Sequence, residues 1–260
     1  MEEHLRRSIE TLLASQQPED LHRALDLIKK EISKVGTDEA GRLFEMVSTL
    51  FYIDPLDRPD LAPLLNEAIA LVVGFGKWVI PALLTQLDAG DLKAQIAIAN
   101  ALGRLGADAI PPLVAEYQSS SDPGRRQFVL YALGKIKSPK IVQAAAYALQ
   151  AAEAQDRELR DTATRAIGKF AESIPPAALP EDTRRRFVQT LQKNLADQNP
   201  SIRAKAIRSL GKLAKFGHLT APERTTLRET FEHIVGKDER FEWDRAYLVR
   251  KEAIEALTYL

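Results

Sequence analysis

The sequence predicts an all-α protein, an α-solenoid of about seven antiparallel helix pairs. Three observations lead there. Apolar residues recur at helical spacing along nearly the whole 260-residue chain, and no stretch alternates as a strand does. Ala, Leu, Arg, Lys, Glu and Gln dominate, and all are good helix formers. One six-residue pattern returns five times, at intervals of 31, 34, 43 and 47 residues.

Breaks in the helical rhythm set the elements in order. They read SQQP, KVGT, IDPLDRP, GFGK, DAGD, SSSDPG, KSP, AQD, SIPPAALPED, DQNP, FGHLTAPE and GKDERFE. Residues 1–77 show only the rhythm of helix pairs. Residues 78–138 hold short repeats. Residues 139–216 hold longer ones, the added length falling in the links and the first helices. Residues 217–260 make a final pair. The whole is expected to be a single solenoid.

The returning pattern is NALGRL (Asn100–Leu105), YALGKI (Tyr131–Ile136), RAIGKF (Arg165–Phe170), RSLGKL (Arg208–Leu213) and EALTYL (Glu255–Leu260). The first four place a glycine, Gly103, Gly134, Gly168 and Gly211, before a cation and an apolar residue. The fifth has Thr258 in its place. Glycine inside a helix costs roughly 1 kcal/mol relative to alanine, so four at one position predict a close approach to a neighbouring helix. Twelve residues earlier stand Asp91, Asp122, Asp156 and Asn199, predicted N-caps whose side-chain oxygens take an orphan backbone N–H. Pro123 and Pro200 follow two of them, where a missing N–H costs nothing. Eight before the glycine position stand Gln95, Arg126, Arg160, Arg203 and Arg250. The arginines are expected to bridge neighbouring repeats through the N-cap acids. The preceding helices WVIPALLTQL (Trp78–Leu87) and DAIPPLVAEY (Asp108–Tyr117) both put Ile-Pro in or near the first turn, where proline is tolerated.

These motifs resemble the HEAT repeat family. The short units of 78–138 are similar to the bacterial HEAT-like subgroup first named for phycobilin lyases. The resemblance is strong there, good over 139–216, weaker over 221–260, and only a rhythm over 1–76. It implies stacked helix hairpins whose second helices line a concave face. It does not imply one activity, because the fold hosts many.

Composition narrows the chemistry. The chain has no cysteine, which excludes disulfides, thiol catalysis and cysteine metal sites and fits a cytoplasmic protein. The longest unbroken apolar stretch, Ala68–Gly74, is too short to cross a bilayer, and MEEHLRRSIE has no signal-peptide core. The four histidines, His4, His22, His218 and His233, form no metal-ligand spacing. No phosphate loop, GxSxG or calcium-loop pattern is present. Neither catalytic residues nor a metal or cofactor site is expected. His218 is expected in a loop, His233 on a helix surface, Trp78 in the core, and Trp243 as a seal on the C-terminal pair, with an exposed anchor as the alternative.

Charge points to partners. The net charge is zero, yet residues 1–122 carry 11 Lys and Arg against 19 Asp and Glu, whereas 123–215 carry 18 against 8. The cations following the glycines, Arg104, Lys135, Lys169 and Lys212, form one row, expected to run across the stacked repeats. In SIRAKAIRSLGKLAK (Ser201–Lys215), Lys205, Arg208, Lys212 and Lys215 share one helix face opposite the apolar stripe Ile202, Ala206, Leu210 and Leu213. Arg165 joins Arg208 in an adjacent row. Cations near a helix C-terminus also complement its dipole and keep a surface soluble. The expected function is a non-enzymatic scaffold binding another protein, with an acidic segment suited to Arg104, Lys135, Arg165, Lys169, Lys205, Arg208, Lys212 and Lys215. The alternatives are nucleic-acid binding through phosphate contacts, against which the near-neutral pI stands, and, from the resemblance alone, a lyase-like or glycosylase-like role. The lyase-like role implies a paired subunit.

Overall fold

The computed structural model describes residues 1–87 and 90–260. Asp88 and Ala89 of the expected DAGD break lie outside them. Among the described residues the chain forms fourteen α-helices and no strand, and it divides into two compact units, Met1–Pro112 and Leu113–Leu260.

The first unit contains α1 (Glu3–Leu13), α2 (Pro18–Glu31), α3 (Thr37–Ser48), α4 (Ala62–Gly74), α5 (Ile80–Gln86) and α6 (Leu92–Leu105). Helix α1 packs on α2, α3 on α4 and α5 on α6, while α4 also packs against α2 and α6. The second helices of the pairs therefore lie side by side. Leu25, Ile28, Leu64, Val72, Ile98 and Leu102 fill their shared interior. No single described helix is long and apolar enough to cross a membrane.

Helix α7 (Ile110–Ser119) spans the division. Beyond it come α8 (Pro123–Leu133), α9 (Ala145–Ala151), α10 (Arg157–Ser173), α11 (Glu181–Asn194), α12 (Pro200–Lys215), α13 (Ala221–Val235) and α14 (Tyr247–Leu257). In the second unit α10 packs between α8 and α12, and α12 also packs on α14. Helices α9, α11 and α13 back onto α10, α12 and α14. Ile202, Ala206, Leu210 and Leu213 of α12 are buried, the stripe that its periodicity marks.

The starts of α6, α8, α10 and α12 are fixed locally. Asp91 Oδ1 accepts from the N–H groups of Lys93 and Ala94 at 2.8 and 3.0 Å. Asp122 caps Arg125 at 2.6 Å, Asp156 caps Leu159 at 2.8 Å, and Asn199 caps Ser201 at 2.8 Å. Such caps are worth roughly 1 kcal/mol each. Pro81 sits in the first turn of α5, entered through a 3-10 turn.

The arginines eight before the glycine position do not use the N-cap acids, contrary to the sequence expectation. Arg160, Arg203 and Arg250 instead reach into the turn between the two helices of their own pair. Arg160 Nη1 donates to the carbonyls of Ala154 and Gln155 at 2.7 and 3.1 Å. Arg203 does the same to Asp197 and Gln198, and Arg250 to Asp244 and Arg245. Arg126 donates to the Tyr117 carbonyl at 3.2 Å and lies over its ring. The bridge between repeats is made by a different acid, two residues ahead of the next helix's N-cap. Arg160 Nε donates to Asp197 at 2.8 Å, and Arg203 grips both oxygens of Asp244 at 2.7 and 2.9 Å. The N-cap oxygens are already committed to their own helices, so the bridging carboxylate sits just outside.

The glycines differ from one another. An ideal Cβ on Gly168 would lie 2.5–2.8 Å from Ser209 of α12, and one on Gly211 would lie 3.0 Å from Ala256 of α14. A Cβ on Gly134 would meet nothing nearer than 3.4 Å, so there the close-approach explanation fails. Gly103 is buried within α6.

Two aromatic expectations also change. Trp78 is 37% exposed and stacks on Phe75 at 5.9 Å between ring centroids, not in the core. Trp243 is 58% exposed, lying against Gly236, the left-handed C-cap of α13. His218 does occupy a loop, but a buried one: Nε2 pairs with the Ala171 carbonyl oxygen at 2.8 Å. His233, at the end of α13, pairs with Asp238.

Candidate functional site

The stacked helices α8, α10, α12 and α14 bring most of the predicted cations onto one surface of the second unit. Three clefts run between successive helices, of about 100 Å³ at α8/α10, 160 Å³ at α10/α12 and 300 Å³ at α12/α14. Lys169 lines all three, so they form one continuous groove. Lys135, Arg165, Lys205, Arg208, Lys212 and Lys215 line one or two each. Arg104 belongs to the first unit, where its guanidinium donates to the Asn66 side chain at 2.9 Å, tying α6 to α4.

The groove is less basic than its sequence, because acids on neighbouring helices answer many of the cations. Glu172, in the last turn of α10, accepts from Lys169 at 3.0 Å, from Lys212 of α12 at 2.7 Å, and from Lys137. Burial works against the charged carboxyl, but three ammonium partners outweigh it and hold Glu172 well below the usual carboxylate range. Burial pushes Lys212 down to about 8; Glu172 favours its charged form and neighbouring Lys169 opposes it. Lys205 pairs with Asp161, which also accepts from the Ser201 hydroxyl at 2.9 Å. Arg208 binds the buried carboxylate of Glu252 on α14. These pairs join adjacent second helices.

Three cations are held differently. Lys135 and Arg165 flank the Tyr131 ring at 4.9 and 5.5 Å from its centroid. Lys215 lies over Tyr259 at 4.8 Å. Among the described residues none of the three has a carboxylate within ion-pair distance. A cation on an aromatic face keeps its charge and donors toward solvent. The groove therefore has a centre whose cations are engaged by internal carboxylates, built from Glu172, Lys169, Lys212 and the Arg208–Glu252 pair, with open cationic positions at Tyr131 and at Tyr259.

Sequence reasoning named the cations and missed their acids and aromatic rests. Glu172, Asp161 and Glu252 carry no motif of their own, and Tyr259 stands in EALTYL where the other four repeats have the cation. The available signal was distance: Asp161–Lys205 and Arg208–Glu252 are each 44 residues apart, close to one repeat in this part of the chain. Among the described residues no group of three or more His, Asp or Glu is placed to hold a metal ion.

Stacked helix hairpins, second helix against second helix, define an α-solenoid. The repeats are of the HEAT type: the family described as HEAT repeats matches residues 80–168, and that described as HEAT repeat matches 187–217. Over these two stretches the chain is built of HEAT repeats.

No curated protein sequence matches the chain. Solved structures do. The complex of CpcE and CpcF of phycocyanin lyase from Nostoc sp. PCC7120 is similar at 23% identity and a TM-score of 0.55, over 68% of this chain and 97% of that one. Kap121p bound to Nup53p is similar at 12% identity and a TM-score of 0.63, over 98% of this chain and 29% of that one. Kap95p, in a structure with RanGDP, is similar at 16% identity and a TM-score of 0.59, covering 96% and 35%. At these identities the likeness is one of fold.

Proposed function

We propose that this protein is a non-enzymatic scaffold whose second unit holds an acidic segment of a partner protein in the groove across α8, α10, α12 and α14. One observation carries the reading: Lys135, Arg165 and Lys215 line a continuous groove without carboxylate partners, each resting on an aromatic ring. Such positions recruit carboxylates without first breaking an internal pair. HEAT repeats and the likeness to solenoids solved with protein partners support the scaffold part. The paired lysines and arginines at the centre hold the stack together and give the groove its shape.

The test is capture from native lysate with the wild-type chain and with Lys135→Glu/Arg165→Glu/Lys215→Glu. All three changes avoid the ion pairs between helices, so circular dichroism should show both forms folded. The reading expects an acidic protein that the variant no longer captures. Material that disappears on nuclease treatment would replace the protein partner with nucleic acid, whose phosphates would meet the same cations. Equal capture by both forms would remove the groove from the function.

A further inference from the structure

The stack of the second unit leaves the outward face of α14 uncovered. Four residues before the glycine position stand Leu130, Thr164 and Ile207 in α8, α10 and α12, and all three are fully buried. The equivalent residue of α14 is Ile254, which is 55% exposed. Tyr247 and Leu248 on the same helix are exposed too. Arg160 and Arg203 each use Nε to take an aspartate from the following pair. Arg250 keeps the bonds to its own turn through Nη1, and among the described residues no carboxylate lies within ion-pair distance of it. Thr258 stands where Gly168 and Gly211 allow tight contact, so a close copy of the internal stacking is blocked on this face.

Charge decides what fits instead. Tyr247, Lys251, Ile254 and Thr258 form a stripe at helical spacing, with Arg250 and Glu255 on opposite flanks of it. A helix laid parallel with the same sequence would set Lys251 against Lys251. Laid antiparallel and centred between Lys251 and Ile254, the same sequence matches itself: Tyr247 meets Thr258, Lys251 meets Ile254, and Lys251 also reaches Glu255, which lies on its own flank of the stripe. Residue i contacts j and j contacts i, as a two-fold interface requires.

We infer that α14 is the interface of a two-fold dimer, in which α14 of a second copy packs antiparallel and its Glu255 supplies the carboxylate for Lys251. The Ile254 side chains and the Tyr247–Thr258 contacts exclude water around these pairs. This interface does not depend on the acidic-segment reading of the groove.

Sedimentation velocity tests it with the purified chain, titrated up to about 100 μM, a range that reveals micromolar association. The wild type should shift from monomer to dimer. Lys251→Glu and Glu255→Lys, both at exposed positions, should each weaken self-association at least about tenfold, because each sets like charges across the axis twice. Mixed in equal amounts, the two variants should recover dimer to near the wild-type level, since both contacts become opposite in sign. A wild type that stays monomeric across the titration overturns the inference, whatever other protein covers the face. So does failure of the mixture to recover dimer, which would rule out the antiparallel pairing.

Discussion

Replacing Gly168, Gly211 and Gly134 by alanine, one at a time, should give three different outcomes from one chemical change. Alanine favours helix over glycine by roughly 1 kcal/mol, so where space allows the change stabilises. At Gly134 the backbone is helical, with φ −66°, and the nearest atoms to a new Cβ are 3.4 Å away. Gly134→Ala should therefore gain about 0.5–1 kcal/mol. At Gly168 the new Cβ would stand 2.5 Å from Ser209 Oγ, 2.7 Å from its Cβ and 2.8 Å from its Cα. The hydroxyl cannot simply rotate away, because Ser209 Cα is backbone and its Oγ is bonded to the Thr164 carbonyl at 2.9 Å. Helix α12 must shift against α10. Overpacking of this kind costs typically about 1–3 kcal/mol, leaving Gly168→Ala with a net loss of about 1–2 kcal/mol. Gly211→Ala falls between, with 3.0 Å to Ala256 Cβ and 3.3 Å to its Cα. Urea unfolding followed by circular dichroism reads the order from the midpoints, with the slopes confirming that only stability changed. If Gly168→Ala stabilises as much as Gly134→Ala, α12 does not sit against Gly168 and the stacking geometry described here is wrong.

Arg203→Ala should destabilise by about 2 kcal/mol, because it removes a bidentate grip on a mostly buried Asp244 and two turn carbonyl bonds; Arg203→Lys should recover under half, measured in the same urea series. Against the opposing effect of burial, the arginines hold Asp197 and Asp244 below the usual carboxylate pKa. A carboxylate depressed in the folded state contributes stability above its unfolded pKa, near 3.9, and loses it as pH falls through the folded value. Stability should therefore decline below about pH 4 in wild type and decline less in Asp244→Asn, as a thermal-melt series in pH would show. Lys212, pushed by burial to about 8, should titrate near there when its ammonium is followed by NMR. Glu172→Gln should lower that value further, since Lys169 then crowds Lys212 without a compensating carboxylate; an unchanged or raised value would refute the cluster.

What the sequence made legible was local. A cap, a proline in the first turn and a helix stripe are each written within one helix, so Asp91, Asp122, Asp156, Asn199 and the α12 stripe could be read from spacing alone. The recurring arginines were visible as a row. Their partner was not, because the acid that fits Arg203 lies 41 residues away and competes with nearer acids of equal chemistry. The same limit made the basic stretch of α12 look more available than it is. Asp161, Glu172 and Glu252 reach it only after the helices stack. Trp78 and Trp243 were misjudged for another reason: position near a helix start does not say which side of the turn a large ring lands on. Glycine at a repeat position signalled close approach correctly at Gly168 and Gly211. The identical letter at Gly134 marked a helix end with room to spare.

The measurement closest to the central claim is fluorescence anisotropy with a labelled oligoglutamate peptide at low salt. Wild type is compared with Lys135→Ala/Arg165→Ala/Lys215→Ala and with Lys205→Ala. The account predicts binding that weakens at least about tenfold in the triple variant, where cations without acid partners are lost. It predicts little change in Lys205→Ala, whose cation is already engaged by Asp161. Equal binding by wild type and the triple variant, or a larger loss from Lys205→Ala, would contradict it.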